Sequence, residues 1–213
     1  MKFQLSIQSH NTGMVLEATP DDTFDGQPKI ARLLFDTIVA NTSPEQVAVA
    51  AALLYGDYVG HDFYLDTPIA RQAAEAIQDY LNTRRVSIRN LSDVPRSNWP
   101  TAGTLHVQLF TDLPEFETTP RGQVHGHQLF LADGTMFNGA LGSPHQSIVA
   151  SNIYVFAKLN EIDFSRVLLA HGILFSRDLH MRTIEVPKGN LSNDDSQRIA
   201  DLVRAVDVNA RFI

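Results

Sequence analysis

A chain of 213 residues, 44% hydrophobic and 19% charged, has the apolar mass for one large domain or two small ones. Its net charge of −7 opposes broad binding to nucleic-acid phosphates. The absence of cysteine excludes disulfides, thiolate catalysis, zinc fingers and iron–sulfur clusters.

The opening MKFQLSIQSH alternates apolar and polar residues and lacks the long apolar stretch of a secretory signal. Lys2 to Ile7 therefore reads as a strand, with Met14 to Ala18 as its partner across the turn-forming Asn11-Thr12-Gly13. Thr19 to Pro28 reads as a loop, and Ile30 to Ala40 leans towards strand at Thr37, Ile38 and Val39. Ser43-Pro44-Glu45-Gln46 is a helix start, because Ser43 can accept from the Gln46 amide while Pro44 gives up no bond at the first position. The apolar run from Val47 is too short to span a membrane. Asp62 to Leu65 reads as a short strand, Thr67-Pro68 as the cap of a second helix, and Arg85 to Leu91 as a further strand. The basic cluster Arg84, Arg85 and Arg89 offsets a helix dipole in this reading. Ser92 to Gly103, with Trp99 as a loop anchor, is a long connection to a strand at Thr104 to Phe110. Pro-rich Thr111 to Gly122, with Glu115 and Glu117, reads as a mobile loop or junction.

Downstream, Val124 to Leu131 and Thr135 to Phe137 flank Asp133-Gly134 and predict a hairpin. Ser143-Pro144-His145-Gln146 repeats the S-P-x-Q pattern and predicts a helix reaching Leu159. Arg166 to Phe175 leans towards strand, His180 to Val186 alternates as a strand, Ser192 caps a last helix, and Ala210 to Ile213 reads as an edge strand. The fold expected is mixed α+β: one globular unit with a mixed or antiparallel sheet and about four capped helices, at Ser43, Thr67, Ser143 and Ser192. Subdomains at 1–112 and 120–213 would meet near residues 111 to 123. The repeated S-P-x-Q is not taken as a duplication, since the flanking residues do not match.

Five of the eight histidines crowd the second half: His125, His127, His145, His171 and His180. On a strand, His125 and His127 share a face, which is how many histidine metal sites begin. No following carboxylate supports one, so the pair is expected to face solvent on the hairpin, where its replacement leaves folding nearly unchanged. His171, in an apolar run, is expected to give one ring nitrogen to a backbone carbonyl. Asn138, Ser143 and His145 offer an anion-binding helix start. Arg177, Asp178 and His180 offer an acid, a base and a cation, with a polar turn as the plainer reading.

The run AALLYGDYVGHDFYLDTPIARQAAEAIQDYL, followed by VSIRN, resembles the non-catalytic N-terminal region of 7-cyano-7-deazaguanine synthase-like proteins over residues 35 to 92, with Gly60, Asp62 and Pro68 as its fixed points. That family's S-G-G-x-D-S ATP-pyrophosphatase loop and its zinc-binding cysteines are absent. The resemblance implies an accessory portion without chemistry of its own. The leading expectation is thus a cytoplasmic accessory or protein-interaction chain that partners a nucleotide-modifying enzyme, with no cofactor, no nucleic acid and no membrane. Two alternatives stand beside it. One is a metal-dependent hydrolase or lyase built around a divalent metal at His125 and His127, with His145, His171, Asp178 or His180 completing the site. The other is a small anion- or phosphate-binding protein using the Asn138 to Gln146 segment.

Overall fold

The computed structural model describes residues 1–8, 13–21, 23–81, 86–93, 102–110 and 126–213. Arg84, Arg85, Trp99, Glu115, Glu117 and His125 lie outside these, as does the expected junction at 111 to 123. The fold is α+β, with a mixed sheet and five helices among the described residues.

Strands β1 (Lys2–Ile7), β2 (Met14–Thr19) and β3 (Arg32–Phe35) form an antiparallel meander. Helix α1 (Pro44–Tyr55) begins as expected. Ser43 Oγ accepts from the Gln46 amide at 3.3 Å, and Gln46 Oε1 accepts from the Ser43 amide at 3.0 Å. Every residue of α1 after Pro44 is buried, which its Val/Ala/Leu composition allows on all sides.

Strand β4 (Asp62–Ala70) runs parallel to β1 and reaches past the expected helix start. Thr67 and Pro68 belong to this strand, at a break in its register with β5 (Ser87–Ser92) between Tyr64 and Ile69. Proline, having no amide to offer a ladder, fits such an irregularity. Asn90 supplies the missing bonds: its backbone is left-handed (φ 63°) and its Nδ2 donates to the Leu65 and Asp66 carbonyls, both at 2.9 Å. Helix α2 (Arg71–Tyr80) therefore starts after Ala70 without a side-chain cap.

Strands β6 (Thr104–Leu109), β7 (Gly126–Asp133) and β9 (Gln146–Ser151) are mutually parallel, and β8 (Ala140–Gly142) pairs antiparallel with β9. The Asp133-Gly134 hairpin is not formed. Asp133 Oδ1 accepts from the Thr135 amide at 2.8 Å, and the turn leads to β8 rather than back along β7. Helix α3 (Ile153–Asn160) precedes α4 (Phe164–Phe175), which occupies the segment expected as a strand. Its apolar residues show no helical stripe because α4 is buried between α1 and strands β6 and β10 (Thr183–Val186). Helix α5 (Asn193–Arg204) is capped as expected, Ser192 Oγ accepting from the Asp195 amide at 3.0 Å. Strand β11 (Asn209–Phe212) closes the chain at a sheet edge.

The strand order is β11-β10-β6-β7-β9-β3-β2-β1-β4-β5. The halves share a strand arrangement: three strands side by side (antiparallel in the first half, parallel in the second), then helix, strand, helix, strand extending outward from the first strand, with β8 and α3 additional in the second half. The halves join through the antiparallel β3–β9 contact, and corresponding helices meet, α1 on α4 and α2 on α5. The S-P-x-Q repeat does not mark this correspondence, since Ser43 opens a helix and Ser143 precedes a third strand. One core, including Phe3, Leu16, Phe63, Leu105, Leu129, Ile173 and Val203, fills the space between sheet and helices. Beyond the sheet, Phe130, Ala132 and Ile148 form a small second cluster with Phe110 and Phe137.

Candidate functional site

His127 does not face solvent. It lies on the helix-covered face of β7 with Leu129 and Leu131 and is only 3% exposed. Its Nδ1 is 3.3 Å from the Pro144 carbonyl and its Nε2 is 2.9 Å from Ser147 Oγ. A carbonyl can only accept, so Nδ1 carries the proton and donates to Pro144, leaving Nε2 to accept from the Ser147 hydroxyl. Burial, with a smaller push from His145, lowers the pKa of the ring against the opposing pull of the Pro144 carbonyl.

His171 repeats the arrangement in the centre of the molecule. Wholly buried on α4, it donates from Nδ1 to the Val167 carbonyl at 2.8 Å, as expected, and accepts from Ser151 Oγ at 3.1 Å through Nε2. The Phe35 ring stands edge-on at 5.8 Å. Burial drives its pKa down to about 4, so the imidazole is neutral at physiological pH. In both pairs the serine and the ring satisfy each other.

The S-P-x-Q segment at Ser143 carries no helix start. Ser143 Oγ accepts from the Gln146 amide at 3.0 Å, the same bond Ser43 makes, but the chain then enters β9. Asn138, Ser143 and His145 are exposed around this strand–turn–strand unit, with no helix terminus there to attract an anion. The Arg177-Asp178-x-His180 group is likewise a turn. Asp178 Oδ2 accepts from the Ala40 amide at 2.8 Å, and Oδ1 from the Asn41 amide at 3.1 Å and side chain at 2.6 Å. Its carboxylate thus holds the approach to α1 and is not oriented on His180, which is exposed at the turn's end with φ 56°. Among the described residues no three histidine, aspartate or glutamate side chains gather as a metal site.

The arrangement sequence reasoning missed is a polar row across the uncovered face. Glu185 on β10 pairs with Arg211 on β11 at 3.1 Å and with His106 Nδ1 on β6 at 2.9 Å. Gln128 and Gln146 continue the row in register on β7 and β9, joined at 2.8 Å. Period-two alternation places each on its strand's polar face, but only the register brings them side by side.

No protein-family model, no curated protein and no solved structure matches the chain. Among the described residues no helix is long and apolar enough to cross a membrane.

Proposed function

We propose that the chain is an accessory, protein-interaction module without catalysis of its own, which docks on a nucleotide-modifying enzyme. The observation that carries this reading is the edge at β11. Asn209 and Ile213 donate to the Arg182 and Val186 carbonyls, so alternation turns the Ala210 and Phe212 amides outward. Among the described residues no strand lies on that side. An open edge accepts an extended segment of a partner through main-chain hydrogen bonds. The satisfied, inward-turned histidines are consistent with it. The nature of the partner rests on the resemblance of residues 35 to 92 to an accessory region. Those residues form α1, β4, α2 and β5, with Pro68 inside β4.

Affinity capture from the native source should return one reproducible partner. Ala210→Pro removes an outward amide at an edge position that tolerates proline. It should cut recovery at least tenfold with the circular dichroism spectrum unchanged. No reproducible partner, or equal recovery by the variant, refutes the reading.

A further inference from the structure

The chain has one asparagine followed by glycine, Asn138-Gly139, between β7 and β8. Asn138 is exposed, and among the described residues its side-chain amide holds no hydrogen bond. Gly139 follows in the left-handed region at φ 91°, and a β-carbon built there would meet nothing within 4 Å. That flank of the Asn138–Gly139 peptide is therefore open.

What holds the segment is a clip of three residues. The Gly139 amide donates to Asp36 Oδ2 at 3.1 Å, and its carbonyl accepts from the Ala150 amide at 3.0 Å. The Asp36 amide in turn donates to the Ala150 carbonyl at 2.9 Å. Asp36 directly follows β3, and Ala150 lies in β9. The clip thus sits beside the pairing of Phe35 with Ser151, where the two halves of the sheet join.

Asparagine is a chemically labile side chain, and a following glycine has no β-carbon to obstruct attack on it by the next backbone nitrogen. We propose that Asn138 is a deamidation site that Asp36 restrains. The Gly139 nitrogen bonds to Asn138 Cγ and gives up its proton. The Cγ–Nδ2 bond breaks, and Nδ2 leaves with that proton as ammonia. Water then opens the cyclic imide at either carbonyl, giving aspartate or isoaspartate. Asp36 opposes the first step twice. Its charge disfavours negative charge on the nitrogen, and its bond to the N–H fixes the peptide's orientation. The reaction therefore draws on molecules in which the clip has opened. Isoaspartate adds a methylene to the main chain just before Gly139, so the clip no longer fits and the β3–β9 seam loosens. This site is far in strand order from the β11 edge and stands whether or not a partner docks there.

The test incubates the full chain at physiological pH and temperature. Peptide mapping that separates aspartate from isoaspartate follows Asn138, with Asn209, likewise exposed but followed by Ala210, as the reference. Asn138 should convert ahead of Asn209. Asp36→Ala should speed Asn138 several-fold and leave Asn209 unchanged. Asp36→Asn, which keeps the shape and a carbonyl acceptor without the charge, should give a rate between those of wild type and Asp36→Ala. Should Asp36→Ala fail to fold, Asp36→Asn decides: a faster Asn138 supports the restraint and an unchanged one overturns it. Equal acceleration at both asparagines marks general loosening and also overturns the restraint. An Asn138 that keeps its amide as long as Asn209 does overturns the site itself. The separated isoaspartate form should melt below the fresh chain, and an unchanged melting temperature overturns the clip's part in the seam.

Discussion

His171 should make the fold acid-sensitive from a pH well above the range in which ordinary carboxylates titrate. In the unfolded chain its ring titrates near 6.5, whereas burial lowers the folded value to about 4. As pH falls, the unfolded chain takes up the proton first, so stability is complete above 6.5 and is lost progressively down to 4. That interval of roughly 2.5 pH units, at about 1.36 kcal/mol each, amounts to about 3 kcal/mol. This is a large fraction of the 5–15 kcal/mol that typically holds a domain together. Urea unfolding between pH 7.5 and 4 measures the loss. His171→Gln removes the titration and costs stability at neutral pH through imperfect bonding to Ser151, but its free energy should fall by about 3 kcal/mol less across the same range. His127 is lowered in the same direction and, like the carboxylates, contributes equally to both proteins, so it cancels in the comparison. Curves for wild type and variant that run parallel within about 0.5 kcal/mol would show that the ring is not held neutral in the folded state, and the burial argument would fall.

Two further substitutions test the packing around these groups. His127→Ala leaves the Ser147 hydroxyl and the Pro144 carbonyl without their ring partner, so chemical denaturation should show a loss of about 1–3 kcal/mol; a change under about 0.5 kcal/mol would return His127 to the surface. Gly172 on α4 packs so closely that an added Cβ would stand 2.7 Å from Ile184 Cγ2 and 3.1 Å from Val107 Cγ2. Gly172→Ala gains about 1 kcal/mol of helix propensity but incurs about 1–3 kcal/mol of overpacking, so a net fall in melting temperature is expected, and a rise would mean that α4 can move away from the sheet.

What could be seen in the sequence was local, and what could not depended on distant partners. Ser43 and Ser192 cap helices through hydroxyl–amide bonds spanning three residues, and both were legible. Ser143 forms the same bond yet begins no helix, because the residues after it decide the outcome: QSIVAS carries β-branched side chains and finds β7 beside it, whereas QVAVAAALLY is rich in alanine and leucine. Strands β6 and β7 were legible, but their parallel pairing with each other and with β9 was hidden for a related reason, since no tight turn joins one parallel strand to the next. Apolar on all sides, α4 lost the periodicity that would have declared it. The same limit governs the chemistry. A backbone carbonyl for His171 could be foreseen because Val167 lies one helical turn away. Ser151 and Ser147, each 20 residues from its histidine, could not, and neither could the meeting of four helix ends around Arg166. A histidine's capacity for chemistry is written in its own side chain, but whether that capacity is spent on the fold is decided by the register of strands far from it. Here strand pairing sets Ser147 beside His127, helix packing sets His171 of α4 against Ser151, and Arg166, which no motif marked, is left with an unmet hydrogen bond among the described residues.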